Sequence, residues 1–436
     1  MSARIAGAVV VRGGEVVSAT GTRRADVLVG DGIVQTIEES LEAPSGALVL
    51  DAGGCLVAPA LVDLHTHLRE PGAEQAETVE SGSRAAALGG YSAVVAMPNT
   101  TPAIDCASVV RDVRALAETA LVDVAVAGAI TVGRAGERLV PFAELAGLGV
   151  RLFTDDGTGV QDAALLRRAL EYAGDLGVIL AEHCEDASLA KGGLMHEGSW
   201  SSRLGVPGQP ALAEEAMLAR DLALVRLTGT PMHFLHLSTA GSMRLFAAAR
   251  AEGLPVTAEV TPHHLSLTDA ELASFDPLFK VNPPLRGEDD VAALRRACAD
   301  GLIDAIATDH APHPQEAKEA PLEDAPPGML GLETALSVAW EALVAPGHVS
   351  AARLFSLLSG QPARIAGLES SHGGPIAPGR PAQLCVFDPA ERVLVEPERL
   401  ASRSANTPFA GRSLTGKVRH TLVHGEPVVI DGKAQR

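Results

Sequence analysis

The 436-residue sequence predicts an α/β fold, a closed (β/α)8 TIM barrel with a small β domain formed by both termini. Three observations lead there. Eight short apolar runs alternate with Ala-, Leu- and Arg-rich stretches of helical pattern through the middle of the chain. Seven of those runs end on His, Asp or Asn. Both chain ends read instead as short strands separated by Gly and Asp turns.

The N-terminal strands are expected at Arg4 to Val11, Ala25 to Gly30, Gly32 to Glu39 and Ala47 to Leu50. Near the other end Gln383 to Phe387 is one strand. Lys417 to Val423 and Pro427 to Ile430 then form a hairpin around His424-Gly425-Glu426. Neither end carries enough strands for a stable sheet alone, so the two are expected to pair. Residues 1–58 and 369–436 would then make the β domain and residues 59–368 the barrel.

The barrel strands are expected at Leu56 to Leu64, Tyr91 to Met97, Val122 to Ile130, Val150 to Phe153, Val178 to Ala181, Met232 to Leu237, Val256 to Val260 and Ile303 to Ala307. Stretches such as Ala107 to Ala120, Asp162 to Ala173 and Ala211 to Leu227 supply helices between them. Continuously apolar strands imply a parallel sheet covered on both faces, which a doubly wound open sheet would also give. The strand ends separate the two architectures. Asp63-Leu64-His65-Thr66-His67 closes the first run, Asn99 the second, Asp155-Asp156 the fourth and His183 the fifth. His236, His263-His264 and Asp309-His310 close the last three. A barrel gathers all of these around one mouth, and packing alone would favour apolar residues there.

Composition narrows the function. Acidic residues outnumber basic ones 54 to 35, a formal charge of -19 that repels phosphate backbones and argues against nucleic acid. An anionic small molecule stays compatible, because arginines or metal ions can reverse the sign inside a pocket. Hydrophobic residues make up 47% and aromatics only 3%, so the core must be Ala, Val and Leu. Five scattered cysteines without a CxxC pair fit a reducing compartment. No apolar run reaches the roughly 20 residues that cross a bilayer, and no secretory leader pattern opens the sequence. A cytoplasmic protein without a membrane partner is expected.

His65-Thr66-His67 puts two imidazoles on one side of a strand end, where both can reach one metal. With His183, His236 and a strand-end carboxylate, the set suits Zn²⁺ or a similar divalent ion without cysteine. His233 has the opposite parity to His236 and reads as structural; so do His263 and His264, unless they orient ligands from behind. His196, His348, His372, His420 and His424 are expected on the surface or in ordinary hydrogen bonds.

The segments His65-Thr66-His67-Leu68-Arg69-Glu70-Pro71-Gly72, Met97-Pro98-Asn99-Thr100, Thr261-Pro262-His263-His264-Leu265, Ala307-Thr308-Asp309-His310-Ala311-Pro312-His313 and Asn406-Thr407-Pro408-Phe409 resemble a class I bacterial dihydroorotase of the amidohydrolase superfamily. The likeness runs nearly end to end and implies a metal-dependent barrel with a terminal β-sandwich. It also implies a reversible, two-zinc interconversion of N-carbamoyl-L-aspartate and L-dihydroorotate, a step of pyrimidine synthesis. His65, His67 and Asp309 would hold one ion, and His183 and His236 the other. Many relatives bridge the ions with a carboxylated lysine, but Phe153-Thr154-Asp155-Asp156-Gly157 has none, so Asp156, or else Asp155, takes that place.

By the same likeness, metal ions would activate water and polarise the ring amide while Asp309 shuttles the proton. Arg69 has the fork geometry for the substrate carboxylate. His67, Asn99, Asn282 and His313 would contact substrate, and Pro327 and Gly328 would close over it from the loop PQEAKEAPLEDAPPGMLG at 314–331. Lys280 is a weaker candidate for a second cation. The alternatives are a hydantoinase- or allantoinase-like amidohydrolase and an inactive scaffold for aspartate transcarbamoylase. A homo-oligomer, and association with that enzyme, are the expected partnerships.

Overall fold

The structure is a computed structural model that describes residues 7–435, so Arg4, Ile5 and Ala6 of the first expected strand lie outside it. Eight parallel strands close a ring in the order Leu61–Thr66, Tyr91–Ala96, Asp123–Val126, Leu152–Phe153, Ile179–Glu182, Met232–Phe234, Val256–Val260 and Ala305–Ile306. Bridges from Gly128 to Phe153 and from Thr66 to His310 join the two arcs of this ring, completing the (β/α)8 barrel. Helices cover its outside. Ala163–Leu176 begins where the Asp162 carboxylate accepts the N–H groups of Ala164 and Leu165, and Ala240–Ala251 begins at a Thr239 cap. Short aliphatic residues fill the space between strands and helices, as the scarcity of aromatics requires.

Both termini build one nine-stranded sheet. Leu384–Leu394 pairs antiparallel with Leu56–Pro59, which matches Cys385 to Ala58 and Val386 to Val57. Leu56–Pro59 pairs in turn with Val9–Ser18, so the ends of the chain are stitched into one unit. Bulges at Val11/Gly14 and Asp388/Arg392 bend the sheet. Its two arms enclose a separate core that includes Val9, Val27, Val34, Val57, Leu384, Val386 and Leu422, which makes a sandwich. The hairpin turns at His424 and Gly425.

The run Leu56 to Leu64 is two strands, not one. It breaks at Ala60, whose N–H bonds to Gln383 O; Leu56–Pro59 belongs to the terminal sheet and Leu61–Thr66 to the barrel. A uniformly apolar run cannot mark that transfer, because both halves are buried. The third run is strand only at Asp123–Val126, and its end is spent on a different task, described below. Gly90 lets barrel and sheet touch: it has φ 90°, and a Cβ there would lie 2.7 Å from Cys385 Sγ.

Candidate active site

Asp63, His65 and His67 alternate onto one side of the first strand, facing the barrel interior. Asp63 ties that strand to the eighth. Its carboxylate accepts from Thr308 N (2.8 Å), from Thr308 Oγ1 (2.6 Å) and from the Thr66 hydroxyl. Burial pushes its carboxyl up to about 6, against these bonds. The tie sets Asp309 beside the two histidines. Arg69, His236 and Asp309 all have positive φ (62°, 29° and 46°), a conformation costing about 1–3 kcal/mol each at non-glycine residues.

Two of the four histidines are turned by a partner behind them. A carboxylate or amide oxygen can only accept, so His65 Nδ1–H donates to Glu259 Oε1 (3.0 Å) and His67 Nδ1–H to Asn99 Oδ1 (2.8 Å). Their Nε2 lone pairs then face the mouth. His183 Nε2 lies 3.8 Å from Glu185 Oε2, and its Nδ1 faces Asp156 Oδ1 at 3.5 Å. His236 joins this group, its ring 4.5 Å from His183 and 5.2 Å from His65.

Asp156 stands at the centre. Its Oδ1 is 3.3 Å from His65 Nε2, 3.5 Å from His183 Nδ1 and 3.7 Å from His236 Nε2, and its Oδ2 is 3.5 Å from His67 Nε2. Asp309 Oδ1 lies 3.1 Å from His67 Nε2 and 3.5 Å from His65 Nε2. Asp155, of opposite parity, points away: it accepts the N–H groups of Ile130 and Thr131 and the Thr131 hydroxyl. The third strand's end thus anchors the Asp155–Asp156 loop rather than supplying a polar side chain to the mouth.

These donors fit divalent metal ions. Ligands held about 2.0–2.2 Å from a tetrahedral ion stand about 3.3–3.5 Å apart, the spacing of His65, His67 and His183 from Asp156 and of His65 from Asp309, and longer than the 3.1 Å hydrogen bond between His67 and Asp309. His65 Nε2 and His183 Nδ1 are buried without a hydrogen-bond partner among the described residues, an arrangement that costs stability unless something else binds there. Electrostatics agree. Burial opposes charge on Asp156, yet His65, His183 and His236 hold its carboxyl well below the usual range, and burial of His65 is likewise outweighed by Asp156 and Asp309. The carboxylates call for positive charge among the imidazoles.

Arg69 lies on the rim, its Nε donating to Pro312 O (3.1 Å) and its terminal nitrogens free of partners among the described residues. Asn99 keeps its amide N–H groups for other use. Asn282 Nδ2 is 3.4 Å from His183 Nε2. His313 Nε2–H donates to Pro327 O (2.9 Å), and burial, with the Arg69 and Lys318 charges, pushes this imidazole down to about 3. Gly328 N–H donates to Lys280 O (2.9 Å), so loop groups expected to face substrate bond within the loop here. Lys280 points into the same loop, not the mouth.

Glu259 escaped the sequence reading. It is fully buried and bridges His65 to His233, whose Nε2 is 3.0 Å from Glu259 Oε2 and whose Nδ1 is 2.8 Å from Thr257 Oγ1. An ionisable residue inside the apolar strand Val256–Val260 was the available signal. His264 bonds to Thr261 Oγ1 and Pro283 O, an ordinary structural role.

Fold and site together define a metal-dependent barrel hydrolase of the amidohydrolase type, acting on cyclic amides. The Dihydro-orotase-like family model matches residues 54–242. Dihydroorotase of Streptomyces coelicolor is 47% identical over 97% of this chain and 98% of its own, and that of Mycobacterium tuberculosis 49% identical over 94% and 96%. This chain belongs to the dihydroorotase family. Among solved structures, an L-hydantoinase (dihydropyrimidinase) from Arthrobacter aurescens superposes with a TM-score of 0.86 at 26% identity, covering 98% of this chain and 97% of that one. No helix among the described residues is long and apolar enough to cross a membrane.

Proposed function

We propose that this mouth interconverts N-carbamoyl-L-aspartate and L-dihydroorotate, with His65, His67 and Asp309 holding one Zn²⁺, His183 and His236 the other, and Asp156 between them. The observation that carries the reading is the pair of buried, unpartnered ring nitrogens, His65 Nε2 and His183 Nδ1, which both face Asp156 Oδ1. Bound there, the ions supply the positive charge that acidifies water and draws electron density from an amide carbonyl.

The chain's own groups do the rest. Asp309 accepts the proton of the attacking water at a carboxylate oxygen and returns it to the ring nitrogen as the amide C–N bond breaks. In the cyclising direction the carbamoyl nitrogen gives its proton to the same oxygen. Arg69 grips the substrate carboxylate through its free terminal nitrogens. His67 and Asn99, bonded to each other, and Asn282 line the ring, with the Pro327–Gly328 backbone opposite. His313 exchanges its bond to Pro327 O for one to the carboxylate.

Asp156 rather than Asp155 is the central ligand in this reading, supported by four imidazole nitrogens within 3.7 Å of it and by the backbone partners of Asp155. The test is ultraviolet-monitored ring opening of dihydroorotate with metal content measured on the same sample. Turnover should vanish with a chelator and return with zinc. Hydrolysis of hydantoin or allantoin but not dihydroorotate by fully metallated protein would overturn the assignment.

A further inference from the structure

Lys318 lies in the short helix Gln315–Lys318 within the loop after the eighth strand, and it is only 5% exposed. Its ammonium donates to three backbone carbonyls: Gly328 O (2.9 Å), Pro326 O (3.0 Å) and Lys280 O (3.3 Å). Lys280, 8% exposed, donates to Leu322 O (2.6 Å) and Glu323 O (3.2 Å) from the other side. Two buried ammonium groups thus organise one stretch of loop, and neither has an ion-pair partner among the described residues. Burial, then the neighbouring Lys280, pushes Lys318 down to about 7.

Burying a cation without a carboxylate is costly, and a leucine would hold an ordinary loop more cheaply. What the ammonium does here is specific to the mouth. The carbonyls it gathers flank Pro327, whose own carbonyl takes the His313 N–H, and Gly328, whose carbonyl also takes Asn406 Nδ2 (3.2 Å). Asn406 Oδ1 in turn receives the His313 backbone N–H (3.1 Å). Gly328 has φ 137° and sits so close that a Cβ would lie 2.8 Å from His313 Nε2. The Arg69 Nε bond ends on Pro312, the residue before His313.

We propose that Lys318 is a positioning residue for substrate: its ammonium fixes the Pro326–Gly328 backbone, so the wall from which His313 turns to the substrate carboxylate is formed before substrate arrives. The role acts through His313 and the loop, not through the reacting atoms. It rests on the dihydroorotase reading, deepening it at the side of the mouth away from the metal ligands. A preformed wall removes the need to order the loop on binding, so its loss weakens binding rather than chemistry.

The experiment uses the full chain loaded with zinc. Steady-state ring opening of L-dihydroorotate is measured for wild type, Lys318→Met and Lys318→Gln, with zinc content determined on each sample. Digestion with a glutamate-specific protease, which can cut after Glu319 and Glu323, reads the loop itself. Lys318→Met should raise KM about tenfold or more with kcat within about threefold, zinc unchanged and cleavage accelerated. Lys318→Gln, which keeps two N–H donors, should lie between it and wild type and serves if the methionine variant does not fold. A purely structural lysine would lower thermal stability and leave KM alone. Wild-type KM in both variants, or a fall in kcat at unchanged KM, overturns the proposal. If wild-type protein does not open dihydroorotate, the reading beneath it fails instead, and the protease digestion still reports on the loop.

Discussion

Two His/Asp clusters in this molecule look alike on paper and differ in what stands behind their rings. One is the mouth, with His65, His67, His183 and His236 around Asp156 and Asp309. The other lies between barrel and sandwich, where Asp123, His372 and His424 bring their ligand atoms within 4.8 Å of one another. At the junction Asp123 Oδ2 accepts from His424 Nε2 (2.7 Å) and His372 Nε2 (2.9 Å), true hydrogen-bond lengths. The far nitrogens are also engaged: His372 Nδ1 with Ser92 Oγ (3.0 Å), His424 Nδ1 with Gln383 Nε2 (3.1 Å).

Gln383 cannot be turned around, because its Oε1 takes the His424 backbone N–H and its Nε2 donates to Ser371 O. An amide N–H aimed at Nδ1 fixes the His424 proton on Nε2, the atom a metal would need. In the mouth the opposite holds: carboxylate and amide oxygens take the Nδ1 protons of His65 and His67 and leave their Nε2 lone pairs facing Asp156 and Asp309, at spacings of 3.1–3.5 Å. Convergence of histidine and aspartate is therefore not sufficient for a metal centre. The partners behind His65 and His67 on one side and behind His424 on the other separate the two clusters.

The sharpest way to break this contrast is Asp156→Asn. Its loss should lower turnover by more than the roughly 10–100-fold typical of groups one step removed from a metal, and should release bound zinc. Next comes Asp309→Asn, expected to abolish ring opening in folded protein. Turnover within about tenfold of wild type, a barrier change of only about 1.4 kcal/mol, would remove its proton-transfer role. Glu259→Ala, which frees the His65 ring to rotate, should weaken zinc binding about 10–100-fold, measured by competition with a chelating dye. Smallest of all, His424→Gln should leave zinc content, kcat and KM untouched. With both partners half exposed, it should cost about 1 kcal/mol or less of stability by denaturant titration.

Much of this arrangement was legible in the sequence, because barrel strands are apolar and their ends are not. The His-x-His, the Asp155-Asp156 pair and Asp309 stood out against Val and Ala for that reason, although the sequence left Asp155 open as the alternative to Asp156, and it is the hydrogen bonds of Asp155 to Ile130 and Thr131 that turn it away. Other features were hidden. The break at Ala60 joins two equally buried strands, so no change of pattern marks it. Glu259 serves the site from within a strand, where only its charge among Val and Ala betrays it. His372 and His424 meet Asp123 from far along the chain, and hydrogen-bond direction, which separates their cluster from the mouth, exists only in three dimensions. The commitment of Gly328 N–H to Lys280 O was equally out of reach.

The most direct measurement is zinc per chain, by elemental analysis of dialysed protein, in wild type, Asp156→Asn and His424→Gln, with dihydroorotate turnover on the same samples. Two zinc ions in wild type and in His424→Gln, with loss of zinc and turnover in Asp156→Asn, is the expected pattern. Full zinc in Asp156→Asn, or one ion fewer in His424→Gln, would contradict the claim that metal belongs to the mouth around Asp156 and not to the junction around Asp123.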